Sequence, residues 1–194
     1  MSEPRHRLET GRLLVRRAAE EDADLFLALW TDPRIMASVG FPEGLRIDAE
    51  KMRDRIRLQG DGLLEVLLVV VEKATGKPIG ECFMHGPDEA GVAGTDVKLL
   101  PAFQGKGYGT EVKRALLSFL FTTTDSIAVE ATPNVGNEAS IRMQEAVGGV
   151  RTGEGTFESP PGGRDVTHAV RHFVYRVTRE AWKRRTAGSG GGEG

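Results

Sequence analysis

Leu99-Leu100-Pro101-Ala102-Phe103-Gln104-Gly105-Lys106-Gly107-Tyr108-Gly109-Thr110 is the stretch on which the reading of this chain turns. Thr95–Leu100 ahead of it reads as a strand that Pro101 closes. Behind it, the spacing of Val112, Ala115, Leu116, Phe119 and Leu120 predicts a helix over Thr110–Thr122. Glycines at 105, 107 and 109 let backbone N–H groups turn towards a common point, at φ angles that other residues resist. At a helix N-terminus those donors and the helix dipole make a site for a pyrophosphate, and Lys106 adds positive charge. A Walker A loop needs Gly-Lys-Ser/Thr, but Gly107 follows Lys106. A dinucleotide fingerprint needs G-x-G-x-x-G, whereas these glycines give G-x-G-x-G behind a meander. Gln104-x-x-Gly107-x-Gly109 satisfies a third pattern, Gln/Arg-x-x-Gly-x-Gly/Ala.

Upstream of the loop, the apolar run Leu63–Val71 predicts a central strand, and Ala74–Lys77 turns the chain into the strand Ile79–Met84. With Thr95–Leu100 these make an antiparallel meander. Earlier still come a strand at Leu13–Arg17 and a helix over Glu20–Trp30 that Asp32-Pro33 ends. A second helix follows Asp48, with Met52, Ile56 and Leu58 inward, and stops at Gly60. Gly40–Arg46 has no period and reads as a mobile loop. Downstream lie a strand at Ile127–Ala131, a helix over Asn137–Val147 closed by Gly148-Gly149, strands at Val150–Phe157 and Ala169–Val177, and a charged turn at Arg179–Arg185. Strands before helices, then β-α-β-α-β, predict an α/β domain of mixed α+β type. Its single sheet should be largely antiparallel, six- to seven-stranded, with helices on both faces. The organisation expected is an extension over 1–7, one domain over 8–185 and a flexible glycine-rich tail over 186–194.

Composition narrows the function. The 194 residues suit one domain that buries a core without metals or disulfides. Cys82 is the only cysteine, which excludes an intrachain disulfide and a multi-cysteine zinc site. A net charge of −2 gives no overall basic field for nucleic acid. No apolar run approaches the roughly 18 residues of a membrane span, and the polar start Met1–Thr10 is no secretory signal. The expected location is the cytoplasm, with no nucleic-acid or membrane partner and no metal.

In its loop, the sequence resembles the GNAT superfamily of acyl-CoA-dependent N-acetyltransferases. Asn137-x-x-Ser140 at the start of the next helix extends the resemblance. The opening Leu8-x-Thr10-x-Arg12-Leu13-x-Val15-Arg16 is similar to the branch containing ribosomal-protein N-terminal acetyltransferases. The resemblance covers roughly Leu8 to Trp182 and implies the single-domain fold of that family, with acetyl-CoA as co-substrate. It implies that Leu99 and Leu100 pair with the pantetheine amides where strands splay apart, and that Gln104, Gly105, Lys106, Gly107, Tyr108, Gly109 and Thr110 enclose the pyrophosphate. Asn137 and Ser140 would face the pantetheine arm and the thiol. The chain departs from the family twice. Gln144 stands where many members have a Tyr that protonates the leaving thiolate, which makes Ser140 the better candidate. Gly148-Gly149 replaces the usual Gly-Phe.

The reaction implied is direct attack of a primary amine on the thioester, with a carboxylate or His taking the proton. Asp96, at the start of the strand feeding the loop, is the first candidate for that base, and Lys98 would keep it ionised if the two share a face. An exposed edge-strand acid is the competing reading. Glu130, in the apolar run Ile127–Ala131, is the second candidate, since a buried carboxylate has a raised pKa. Glu81 and His85 are weaker candidates, His172 and Tyr175 are candidates to line the acceptor pocket, and Cys82 reads as core. The acceptor is a small-molecule amine or a protein N-terminus, selected by Gly40–Asp61 and by the insertion Glu158–Asp165. The competing function is a catalytically weak acyl-CoA-binding sensor or scaffold of the same fold. Family habit implies a homodimer.

Overall fold

The computed structural model of this chain describes residues 7–157 and 169–189. Eight strands form one sheet: β1 (Arg7–Glu9), β2 (Leu13–Arg17), β3 (Leu68–Glu72), β4 (Lys77–His85), β5 (Val92–Leu99), β6 (Ala128–Ala131), β7 (Val150–Phe157) and β8 (Val170–Thr178). Their order is β1-β2-β3-β4-β5-β6-β8-β7, and every neighbouring pair is antiparallel except β5 with β6. The helices are α1 (Ala23–Trp30), α2 (Pro33–Met36), α3 (Ala49–Arg57), α4 (Tyr108–Thr123), α5 (Glu138–Ala146) and α6 (Arg179–Ser189).

Strand alternation divides the apolar residues into two cores. Leu68 and Val70 face one way, onto Val112, Leu116 and Leu120 of α4. Val69 and Val71 face the other way, onto Phe26 and Leu29 of α1 and Met52 and Ile56 of α3. The sheet is therefore covered on both faces, and β3 is apolar from Leu68 to Val71. Among the described residues, no helix is long and apolar enough to cross a membrane.

Several elements differ from the sequence reading for local reasons. The eighth strand is β1, an edge that pairs with β2. The apolar run from Leu63 becomes strand only at Leu68, because Glu65 adopts a positive φ of 57° and donates its N–H to Met84 O. Pro33 does more than end α1: it opens α2, with Asp32 accepting from Arg34 N as the cap. Asp48 caps α3 as expected, but Leu58 is 83% exposed because α3 ends at Arg57. Gly40–Arg46 is tied down by bonds from Phe41 N to Met36 O and from Leu45 N to Trp30 O. The segment read as a charged turn from Arg179 is helix α6, running to Ser189. The insertion Glu158–Asp165 and positions 190–194 lie outside the described residues.

Candidate active site

Strands β5 and β6 pair only through Val92–Ala128, Ala93–Val129 and Gly94–Glu130. Beyond that point β5 continues to Leu99 while β6 ends at Ala131, so the sheet opens. A cavity of about 490 Å³ occupies the opening. One side of it is lined by Trp30, Met36, Phe41 and Leu45 from the α1–α3 layer, the other by Asn137, Ser140 and Met143 of α5. It thus passes through the sheet.

The antiparallel ladder decides which backbone groups border the opening. Leu100 donates its N–H to Ile79 O, so alternate residues of β5 turn towards β4, and those between, Thr95, Val97 and Leu99, turn towards the gap. This corrects the expectation for Leu100, whose amide is spent on β4. It also limits Leu99, whose carbonyl accepts Gln104 Nε2 at 2.8 Å. Gln104 therefore ties the loop back to the strand end.

Past Gln104 the loop takes the backbone path that its glycines permit. Gly105 and Gly107 have φ of 72° and 78°, and Gly107 is the N-cap of α4. Among the described residues, the N–H groups of Gly105 through Thr110 have no backbone acceptor. Six donors at a helix N-terminus form an anion site. From the turn just ahead of β2, Arg12 braces the loop by donating to Lys106 O at 3.1 Å and pairing with Glu111 at 2.7 Å. Tyr108 contributes only its backbone to the donor cluster, because its hydroxyl donates to Glu72 at 2.6 Å and Arg12 lies over its ring. Gly109 joins loop to cavity: a Cβ there would stand 3.2 Å from Met143 Sδ.

On the opposite face of the opening the charges form a chain. Trp30 Nε1 donates to Glu81 Oε1 at 2.5 Å, Glu81 pairs with Lys98 at 3.3 Å, and Lys98 pairs with Asp96. Asp96 stands well inside β5 rather than at its start, since the strand begins at Val92. Its side chain is 54% exposed, but that exposure is to the cavity it lines. Enclosure pushes the Asp96 pKa up; the Lys98 ammonium and the Val97 N–H more than offset this and hold it below the usual carboxylate value. Burial raises Glu81 in spite of Lys98. Burial also opposes the Lys98 charge, but its two carboxylates raise its pKa and keep it protonated.

Glu130 shares this face with Asp96 and lines the cavity, but it is no isolated buried acid. Arg176, its neighbour on β8, donates to it from Nη2 at 2.6 Å and from Nε at 3.1 Å. His172 lines the cavity at 8% exposure, stacked on Phe157. His85 also lines it, and its ring contacts Glu65 at 3.2 Å. Tyr175, one strand position out of phase with His172, turns instead to Glu145 on α5. On the α5 side, Asn137 caps the helix by accepting Ser140 N at 3.1 Å, while the Ser140 hydroxyl has no hydrogen bond among the described residues. Gln144 is 3% exposed and also lines the cavity. Cys82 is buried in the core, and burial pushes its thiol pKa well up. The sequence reading missed Trp30 and Lys113. Lys113 was visible as a charge on the apolar stripe of α4, two residues buried with it being Leu116 and Leu117 at the i+3 and i+4 positions.

Comparison with known proteins matches residues 12–150 to the acetyltransferase (GNAT) domain family. An uncharacterised N-acetyltransferase, p20, of Bacillus licheniformis is 29% identical over 70% of this chain and 78% of its own. A kanamycin resistance protein of Rhizobium radiobacter is 36% identical over 50% of this chain and 81% of its own. The crystal structure of aminoglycoside acetyltransferase AAC(6')-Ib in complex with coenzyme A and kanamycin superimposes with a TM-score of 0.68. It is 20% identical, covering 90% of this chain and 99% of that one.

Proposed function

Because the chain belongs to the acetyltransferase (GNAT) domain family of acyl-CoA-dependent N-acetyltransferases, we propose that it acetylates a primary amine on a small cationic molecule of the aminoglycoside class. The carrying observation is the face of the gap on which Asp96, held ionised, stands beside an apolar wall that includes Trp30 and Phe41. An ammonium group pairs with the first, and a saccharide or alicyclic ring packs on the second. A relative that is a kanamycin resistance protein supports that acceptor class.

In this reading the N–H groups of Gly105, Lys106, Gly107, Tyr108, Gly109 and Thr110 hold the pyrophosphate, with Gln104 fixing the loop. The pantetheine arm runs along the open edge of β5 at Val97 and Leu99, past Asn137, and its thioester end lies in the gap beside Ser140. Asp96 orients the amine, takes its proton and passes it to solvent, because a carboxylate held so low retains a proton only briefly. Ser140 hydrogen-bonds the departing sulfur. With acetyl-CoA as donor, the proposed site of action is the cytoplasm.

Incubation with acetyl-CoA and an amine panel, read as free thiol released, tests the acceptor. Kanamycin should turn over faster than a linear polyamine or a peptide with a free N-terminus. Turnover confined to peptide N-termini would overturn the aminoglycoside reading. It would favour the alternative that the opening residues Leu8–Arg16 suggest, an acceptor like those of the ribosomal-protein branch. Ser140→Ala should lower kcat by about tenfold, the worth of one neutral hydrogen bond, with CoA affinity unchanged by calorimetry. Full activity in that variant would remove Ser140 from the reaction.

A further inference from the structure

Lys113 is only 2% exposed, yet it lines the cavity. An ammonium carries three N–H donors, and among the described residues Lys113 uses one, towards Thr95 Oγ1 on β5. Among the described residues it has no carboxylate within ion-pair distance; Asp96 acts on it only through space. The other cavity charges are committed: Lys98 to Asp96 and Glu81, and Glu130 to Arg176. On the Lys113 face β8 contributes Tyr175, whose hydroxyl is engaged with Glu145 of α5, while His172 and His85 line the cavity from the Asp96 face. Helix α5 brings Asn137, Ser140, Met143 and Gln144, none of which titrates. A buried cation with two open donors is costly to keep unless something anionic arrives. Thr95 turns towards the gap from the face that α4 covers, so Lys113 is on the Ser140 side, away from the amine.

We propose that Lys113 is the proton donor to the departing thiolate of acetyl-CoA, the role that Gln144 is unable to fill. This rests on the reading that acetyl-CoA occupies the gap. The amine nitrogen uses its lone pair to form the C–N bond, the C–S bond pair leaves on sulfur, and sulfur takes a proton from Lys113 Nζ. The proton lost by nitrogen goes to Asp96, and its return through solvent to the neutral Lys113 restores both groups. The products are the acetamide and free CoA, with no other reactant.

Burial lowers the Lys113 pKa to about 7 despite the opposing pull of Asp96. A free thiol sits near 8.5, so transfer from this ammonium to a thiolate runs downhill. Turnover by the wild type should lose the contribution as pH rises through about 7, where Lys113 gives up its charge.

Bound CoA tests the proposal without any acceptor. In the complex the Lys113 ammonium, followed by nitrogen NMR, should lose its proton near pH 7, below the pH at which ultraviolet absorbance shows the CoA thiolate forming, a step that Lys113→Met leaves in place. Calorimetry should find CoA affinity within a few-fold in both. Turnover of Lys113→Met should fall by about 10²–10⁴-fold with KM unchanged and without the alkaline limb. Lys113→Gln, which keeps a donor for Thr95, should behave the same way and separates the lost proton from any packing change. A Lys113 that keeps its charge above the pH at which bound CoA loses its thiol proton would overturn the proposal. Failure of the wild type to bind CoA would overturn the reading beneath it as well.

Discussion

Gly107→Val should weaken CoA binding by about two orders of magnitude. Gly107 holds a φ of 78° as the N-cap of α4, a conformation that costs an L-residue about 1–2 kcal/mol and a β-branched one more. Relief comes by rotating the peptide, which turns the N–H groups of Gly107 and Tyr108 away from the anion. Two hydrogen bonds to a charged group, at about 1.5–3 kcal/mol each, exceed the roughly 2.8 kcal/mol of a hundredfold loss. No packing explanation competes, since a Cβ at Gly107 would meet only Arg12 Nη2, at 3.5 Å. Gly109→Val should also weaken binding, through the close approach to Met143. Calorimetry with CoA decides the matter: wild-type affinity in Gly107→Val would remove the pyrophosphate from this loop.

Asp96→Asn should lower kcat/KM by about 10²–10⁴-fold, the usual range for a group that handles the substrate proton. Asparagine keeps the size and a hydrogen bond to Lys98 but loses the charge. Because the Asp96 pKa lies below the ordinary carboxylate value, its charge is present throughout a neutral assay and is lost only when pH falls through that lowered value. The acid limb of the wild-type profile therefore reports the amine, and the Asp96→Asn deficit should shrink as pH rises and more amine arrives deprotonated. Glu130→Gln is the comparison. With Glu130 held by Arg176, its loss should change the melting temperature and leave the profile in place. A displaced profile in Glu130→Gln with an unchanged one in Asp96→Asn would move the role to Glu130.

What was legible in the sequence was what local chemistry dictates. Glycines at 105 and 107 announced left-handed backbone before a helix, and Asp48 announced a cap that formed where its spacing placed it. Amphipathic spacing located α1, α3 and α4, and the covered middle of the sheet followed from runs such as Leu68–Val71. Illegible were the partners that arrive from far along the chain. Arg176 reaches Glu130 across 46 positions and Trp30 reaches Glu81 across 51. Both acids stand among apolar neighbours in sequence, and nothing local says which one is neutralised and which faces a cavity. The run from Leu63 misled because a single positive φ at Glu65 takes the chain out of the ladder, a change that composition does not encode. Lys113 was readable in principle, since a lysine on a buried stripe needs a reason.

The three-pair contact between β5 and β6 also has a kinetic meaning. An opening through a sheet has two mouths, so with the site used as proposed the nucleotide thioester and the amine approach from opposite faces and neither blocks the other's route. Direct attack then requires both to be present before the acyl group moves, with no acylated form of the protein between them. Initial rates measured against one substrate at several fixed levels of the other should therefore give double-reciprocal lines that intersect. Parallel lines would mean that the first product departs before the second substrate enters. A desulfo analogue of CoA should compete with acetyl-CoA while leaving the amine free to bind.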